Sequence, residues 1–120
     1  MGTLPNVQPI FLAVASLMPL NTDDILKAIS NPTRREILHW LREPARHFAD
    51  YPNLLDPQQD GVCASFIQDK TALSQPTISS HLNKLHKAGL LTSKKVATWT
   101  YYKRNESVIA EFLRELEQSL

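Results

Sequence analysis

The sequence is poor in cysteine and glycine, and each shortage excludes a class of function. A single cysteine, Cys63, permits no internal disulfide and no two-thiol redox switch within one chain. A thiolate metal site needs two or more cysteines at close spacing, so none is expected here. The three glycines, Gly2, Gly61 and Gly89, cannot form a glycine-rich phosphate loop. We therefore predict that the protein is not an enzyme and carries no cofactor.

A membrane-spanning run is also missing. The most apolar stretch, IFLAVASLMPL at 10–20, is shorter than the roughly 20 residues that a transmembrane helix needs, and Pro19 interrupts it. No lysine or arginine precedes the stretch, which argues against a secretory signal. We expect a single domain of 120 residues that is cytoplasmic and has no membrane partner.

Acidic residues are absent from one long segment. Residues 70–104 contain seven Lys or Arg and no Asp or Glu, whereas the whole chain has a net charge of +1, so the remaining residues sum to −6. Such segregation indicates a surface that meets a polyanion rather than a generally basic protein. The region from 62 to 103 reads in order as helix, short link, helix and β-hairpin, which is the order of a winged helix-turn-helix.

The second helix of this region is clearly bounded and two-faced. Ser74 is a suitable N-cap, Pro76 costs no hydrogen bond in the first turn, and Gly89 can end the helix. The core-facing stripe consists of Ile78, Leu82 and Leu85. The opposite face carries Thr77, Ser80, Asn83, Lys84 and Lys87, with Gln75 and Ser79 on its flanks. Such groups suit base edges and phosphate oxygens in a major groove, although a polar face can also meet only water.

Two β-prone runs follow and predict the hairpin. They are Leu90–Thr92 and Trp99–Tyr102, and the stretch between them carries Lys94 and Lys95. Two lysines at a hairpin tip can reach flanking phosphates. Because side chains alternate along a strand, either Trp99 with Tyr101 or Thr100 with Tyr102 is expected to pack inward.

The stretch LSQPTISSHLNKLHKAGLL resembles the recognition helix of the ArsR/SmtB family of bacterial winged-helix repressors, and ISNPTRREILHWL resembles the helix before that family's helix-turn-helix. The resemblance covers about residues 22–118. It implies a homodimer that binds double-stranded operator DNA and releases it when an inducer binds. By match to the family motif, the DNA-facing residues would be Ser74, Gln75, Thr77, Ser79, Ser80 and His81. For His81, a half-buried imidazole remains the alternative.

The predicted fold is mainly α with a small β-hairpin: a winged helix-turn-helix, dimeric through its first and last helices. Within the single domain 1–120 we assign an N-terminal arm or dimer helix at 1–20, an inserted loop at 44–61, the helix-turn-helix at 62–88, the wing at 90–103 and a dimerisation helix at 105–119. The last helix carries a long apolar stripe, and the first is strongly apolar. The predicted interface residues are Ile10, Leu12, Val108, Ile109, Phe112, Leu113 and Leu116.

The insert at 44–61, PARHFADYPNLLDPQQDG, is a departure from the family, whose members connect these helices more briefly. Its three prolines predict a loop. Its aromatic and leucine side chains could line a pocket or fasten a surface loop to the domain. The basic residues Arg34 and Arg35, in the helix before the insert, are taken to be solvated.

The effector is the least defined part of the prediction. Many family members sense metals, but the last helix has no His or Asp, and the four histidines have no metal-ligand spacing, so no metal is expected. A small organic inducer near the insert, oxidation of Cys63 in a single-thiol redox-sensing repressor, and no effector at all remain open. The alternative of another class is a winged-helix protein-interaction module without DNA binding.

Overall fold

The computed structural model describes residues 20–120, so Ile10, Leu12 and the predicted N-terminal arm, except Leu20, lie outside the described part. The elements are α1 (Thr22–Ala28), α2 (Pro32–Arg42), α3 (Pro44–His47), α4 (Pro57–Asp60), β1 (Val62–Cys63), α5 (Ala64–Thr71), α6 (Gln75–Lys87), β2 (Leu91–Val96), β3 (Trp99–Arg104) and α7 (Glu106–Ser119). The mainly helical architecture with a small sheet confirms the predicted fold class. From residue 20 onward, no helix is long and apolar enough to cross a membrane.

Asparagine side chains begin the first two helices. Asn21 accepts the N–H of Asp24 at 3.0 Å, and Asn31 accepts the N–H of Arg34 at 3.0 Å. Each cap satisfies a backbone donor that has no partner inside the helix. The apolar sides of both helices then enter one core, which also receives the stripe of α6. The core is formed by Ile25, Ala28, Ile37, Leu38, Leu41, Phe48, Val62, Ile67, Ile78, Leu82, Leu85, Leu90, Leu91 and Phe112.

The insert is not the plain loop that its prolines predict. It contains the single helical turns α3 and α4, and Pro44 and Pro57 stand at their first positions, where a missing N–H costs nothing. Phe48 is fully buried and meets the edge of Trp40 at 6.3 Å between ring centroids. The Tyr51 hydroxyl donates to an Asp69 carboxylate oxygen at 2.9 Å. Aromatic packing therefore holds the insert against the domain.

The sheet has three antiparallel strands in the order β1-β3-β2, and β1 was missed by sequence reasoning. The helix expected from Val62 begins only at Ala64, because Val62 and Cys63 pair with Tyr102 and Tyr101 of β3. This pairing supplies hydrogen bonds to a strand edge that the hairpin alone would leave open. A helical pattern in the sequence could not reveal a two-residue strand whose partner lies so far along the chain.

The hairpin closes in a two-residue turn, Ala97-Thr98, because Val96 pairs with Trp99. Ala97 has φ of 56°, a conformation that glycine or asparagine usually supplies, so sequence could not locate the turn. Both strands extend beyond the runs predicted for them.

Aromatic side chains pack on both faces of the hairpin. Tyr101 is buried and Tyr102 is half-buried, although alternation places them on opposite faces. The expected inward pair is therefore not observed: Trp99, on the face of Tyr101, is 51% exposed, while tyrosines on both faces are covered. The reason is that α6 lies against one face, where Tyr102 meets His86 edge-on at 6.4 Å, while α4 contacts β3 from the insert.

The entry into β1 depends on Gly61. Its φ is +95°, and an added Cβ would lie 2.6 Å from the carbonyl oxygen of Tyr102. We expect Gly61→Ala to lower the free energy of unfolding by about 3 kcal/mol or more, through backbone strain and the clash with β3. Gly89→Ala is the matched control: its φ is +84° but the nearest atom is 3.8 Å away, so strain alone should cost about 1–2 kcal/mol. Equal losses in urea unfolding would contradict this account.

Candidate nucleic-acid interface

The turn between α5 and α6 is formed by Ala72, Leu73 and Ser74. Ala72 adopts a left-handed conformation with φ of 60° and ends α5. The Ser74 hydroxyl caps α6 by accepting the N–H of Thr77 at 3.4 Å, and it lies 2.8 Å from the Thr77 hydroxyl. The predicted N-cap is therefore observed. Its capping bonds leave Ser74 less available to an external partner than the residues that follow it.

The polar side of α6 faces outward because the apolar stripe is fully engaged. Ile78, Leu82 and Leu85 are at most 2% exposed. The residues predicted to meet a nucleic acid from this helix are exposed: Ser74, Gln75, Thr77, Ser79, Ser80 and Lys84. Hydroxyls, an amide and an ammonium group thus stand together on one helical surface.

His81 is the exception, because its ring is held by a buried arginine. Arg34, taken from sequence to be solvated, is 8% exposed. Its Nε donates to the Ala28 carbonyl at 2.6 Å, and its Nη1 lies 3.0 Å from His81 Nδ1. A guanidinium can only donate, so Nδ1 accepts and neutral His81 carries its proton on Nε2. The prediction of solvated Arg34 was wrong because a charged side chain can be buried when carbonyls and an imidazole receive its N–H groups.

This contact connects α2 to α6. Burial lowers the pKa of His81, and the charges of Arg34 and Lys84 lower it further. At neutral pH the ring is therefore uncharged and can accept the arginine's hydrogen bond. Among residues 20–120 no buried side-chain nitrogen or oxygen lacks a hydrogen-bond partner.

A basic cleft of about 410 Å³ adjoins this contact, between α1 and the C-terminal half of α6. It is lined by Asp24, Lys27, Ala28, Arg34, Lys84, Lys87 and Ala88. One acidic group faces four basic ones, so the cleft extends the positive surface of α6 toward α1. Sequence reasoning missed Lys27, which lies outside the acid-free segment.

The structure does not bring Lys94 and Lys95 together. They are adjacent on β2 and so project from opposite faces of the hairpin. Lys94 Nζ lies 2.6 Å from a carboxylate oxygen of Asp60 in the insert, whereas Lys95 has no polar partner between residues 20 and 120. Of the two, Lys95 is the more available for an external anion.

A polar cleft of about 280 Å³ separates the start of α6 from the wing. Gln75 and Ser79 line one side, and Thr98 and Trp99 line the other. Trp99 is 51% exposed, so it is not the core residue that alternation allowed. Cys63 lies at this cleft but is only 4% exposed, and its sulfur is 3.2 Å from the Ser65 hydroxyl. The cleft therefore presents neutral polar groups and one exposed aromatic ring.

The last helix divides its apolar residues between the core and the surface. Phe112 is buried in the protomer's own core, so it has no area to offer to a partner. Val108, Ile109 and Leu116 are half-buried, and Leu113 is 56% exposed. Leu113 and Ile109 line an open groove of about 300 Å³ against Ile25, Ile29 and Leu38. In residues 20–120 no group of three His, Cys, Asp or Glu side chains could hold a metal ion.

Comparison with known proteins identifies the family. The profile of the arsR family of bacterial regulatory proteins matches residues 60–93, from the end of α4 into β2. The HTH-type transcriptional regulator YbzH of Bacillus subtilis is 44% identical over an alignment of 94 residues that covers 76% of this chain and 93% of YbzH. The chain belongs to the arsR family of bacterial regulatory proteins. The resemblance in the helix-turn-helix is thereby confirmed.

Two further relatives place this arsR-family regulator among known sequences and folds. The putative arsenical resistance operon repressor ArsR2 of Halobacterium salinarum is 33% identical over 94 residues, covering 77% of this chain and 67% of ArsR2. The homodimeric winged helix-turn-helix DNA-binding domain Mb0332 of Mycobacterium bovis superposes with a TM-score of 0.54 at 20% identity, covering 99% of this chain and 90% of that domain. The latter likeness shows the fold. The protein is thus a transcriptional regulator with a winged helix-turn-helix domain.

The bond between Arg34 and His81 predicts a pH-dependent stability. Because the folded protein holds the pKa of His81 below its usual value of 6.5, the unfolded chain takes up the proton first as the pH falls. The stability that neutral His81 contributes is complete above the pKa of His81 in the unfolded chain. It is lost as the pH falls through the lower pKa in the folded protein. We expect wild type to lose stability relative to His81→Asn between about pH 8 and about pH 5 in thermal unfolding.

Asparagine is the matched control because its side-chain oxygen can accept from Arg34 without titrating. The other three histidines are common to both proteins, so the difference isolates His81. Parallel pH profiles would show that the bond between Arg34 and His81 does not contribute to folding.

Proposed function

We propose that the protein is a homodimeric transcriptional repressor that binds an inverted-repeat operator through α6 and the wing. The observation that carries the proposal is the outward face of α6, where exposed hydroxyl, amide and ammonium groups stand in a segment without acidic residues. Such a helix fits the major groove, in which base edges present donors and acceptors. The name of ArsR2 supports a repressor role.

The exposed residues are assigned different tasks. Gln75, Thr77 and Ser80 read base edges, because amide and hydroxyl groups can both donate and accept. Lys84 and Lys95 bind phosphates, and Lys94 joins them if it leaves Asp60. Ser74, Ser79 and His81 line the flanks of this surface.

Dimerisation is supported by the apolar surface of α7. Leu113 and Leu120 are 56% and 96% exposed, and Leu26 of α1 is 40% exposed. Of these, Leu113 lines the groove between α7 and the core, and exposed leucines mark a surface that another chain covers. The M. bovis domain of the same fold is a homodimer. A twofold dimer presents two equivalent recognition helices, which is why the operator should be an inverted repeat.

The effector is proposed to be something other than a metal ion. Among residues 20–120 no cluster of His, Cys, Asp or Glu side chains could hold a metal ion, and Cys63 is the only thiol of the chain. We infer that an organic ligand bound beside the insert is the inducer, with oxidation of Cys63, or no effector at all, as the alternatives. Burial of Cys63 favours the former, since a sensor thiol must be reached by its oxidant. Zinc that released DNA from the protein, reversed by a chelator, would contradict this assignment.

Two kinds of substitution separate base reading from phosphate binding. Lys84→Ala and Lys95→Ala should each weaken binding to all sequences alike and flatten the dependence of affinity on salt by about one unit. Gln75→Ala should cost about 1–3 kcal/mol on the specific site and relax the preference at one base pair. The measurement is fluorescence anisotropy over a salt series, with an operator selected from random duplexes and with an unselected duplex.

Arg46→Ala is the charge-matched control, because Arg46 lies in the insert, is highly exposed and pairs locally with Glu43. It should leave the salt dependence unchanged. A wild-type protein that bound no duplex, or bound duplexes independently of salt, would contradict the proposal and favour a protein-interaction module.

The dimer is tested at Leu113. Leu113→Glu should yield monomers or aggregates, because it places a charge in the covered apolar surface while leaving the protomer's own core intact. Leu116→Glu should also disrupt the dimer, but it disturbs the core as well because Leu116 packs partly against it. Leu54→Glu is the control, since Leu54 is 86% exposed in the insert. Light scattering at micromolar concentration measures the state, and a monomeric wild type would overturn the proposal.

A further inference from the structure

One turn of the insert holds two lysines of the wing. Lys94 Nζ lies 2.6 Å from an Asp60 carboxylate oxygen, and Lys103 Nζ donates to the Gln59 carbonyl at 3.0 Å. By strand register, Lys94 and Lys103 lie on the same face of the hairpin as buried Tyr101. The insert therefore contacts the face of the wing that points away from α6.

The position of this turn is determined by backbone rather than by the ion pair. Gly61, directly after Asp60, lies against the backbone of Tyr102, and the chain then enters β1 and pairs with β3. Pro57 begins α4, and the Asp56 side chain caps it by accepting the Gln58 N–H at 3.0 Å. The helical turn α4 and the pairing of β1 with β3 therefore place Asp60 beside the wing. The ion pair with Lys94 is not needed for this placement.

The Asp60 carboxylate changes the charge that the wing presents. The hydrogen bond from Lys94 lowers the pKa of Asp60, although partial burial opposes this, and the charge of Lys103 contributes in the same direction as Lys94. Asp60 is therefore ionised at neutral pH. The acidic residue Asp60, which lies outside the acid-free segment 70–104, therefore contacts that segment at Lys94.

We propose that Asp60 is a positioning residue that holds Lys94 away from DNA and so limits the affinity and salt dependence of DNA binding. The inference rests on the proposed function. If Lys94 binds a phosphate, the ion pair with Asp60 must first break, which costs free energy. If the ion pair stays closed, the Asp60 carboxylate remains close to the DNA phosphates and repels them. Both situations weaken binding. The pair is partly exposed, with side-chain exposures of 49% and 28%, so it can open and close in the folded protein.

The opposite role is a brace, in which Asp60 supports the wing in its DNA-binding position. The two roles predict opposite signs. If Asp60 restrains Lys94, Asp60→Asn releases a cation and removes an anion, and binding strengthens. If Asp60 braces the wing, the same change loosens the hairpin and binding weakens.

The test measures binding of the full chain to an unselected random-sequence duplex and to a selected operator over a salt series. Asp60→Asn should bind both duplexes more tightly, by up to about fivefold at low salt, the factor that corresponds to one exposed ion pair. Its salt dependence should steepen by about one unit. Asp60→Glu, which keeps the charge, should resemble wild type, and adding Lys94→Ala to Asp60→Asn should abolish the steeper salt dependence.

Asp56→Asn is the matched control, because it removes an acid from the same turn that touches no lysine, and asparagine caps a helix as well as aspartate. Asp56→Asn should alter the salt dependence of DNA binding far less than Asp60→Asn does. Unchanged or weaker binding by Asp60→Asn, with wild type binding normally, would overturn this inference alone. Failure of every variant and of wild type to bind any duplex would overturn the proposed function together with it.

Discussion

Burial of the apolar stripe on α6 is the constraint on which the rest of the molecule depends. Ile78, Leu82 and Leu85 enter a core that also receives residues from α1, α2, β1, α5, β2 and α7. Because the stripe occupies one side of the helix, the polar residues on the other side have no choice but to face outward. The candidate nucleic-acid surface is thus a consequence of packing, because the apolar contacts that stabilise the domain also orient Gln75, Thr77 and Ser80.

A second constraint acts on the rotation of that helix. Arg34 is buried between α1, α2 and α6, where its guanidinium donates to a carbonyl of α1 and to the ring of His81. A buried charge is tolerated only when its donors are received, so the three helices must keep their relative positions for Arg34 to remain satisfied. The arginine therefore links α6 to the end of α1 and to α2.

Residues 44–61 show how the connection between two helices can change the charge of a surface elsewhere in the fold. Phe48 and Tyr51 fasten the insert to the domain, and Gly61 brings it onto β3. The fold of the family is kept, while an acidic group is carried to the outer face of the wing. Charge on a DNA-binding surface depends on tertiary neighbours as well as on the segment that forms it. In this protein the neighbour of Lys94 is Asp60, which lies 34 residues earlier in the chain.

The sequence by itself determined the features that depend on neighbouring residues. The cap Ser74, the stripe of α6 and the outward polar face follow from helical periodicity and local hydrogen bonding, and the structure has all of them. The family also followed from sequence, because its motif is a continuous stretch within a single helix-turn-helix. Local patterns of this kind are visible without knowledge of the fold.

Tertiary structure decided everything that depends on residues distant in the chain. The strand β1 exists because β3 offers it an edge, and the turn at Ala97 follows from the register between β2 and β3 rather than from a glycine signal. Arg34 is buried because His81 and the end of α1 surround it, and Lys94 faces Asp60 because the insert folds back onto the wing. An isolated arginine or lysine in a sequence is expected in water, since burial of charge is costly. Only the folded chain supplies the partners that reverse this expectation.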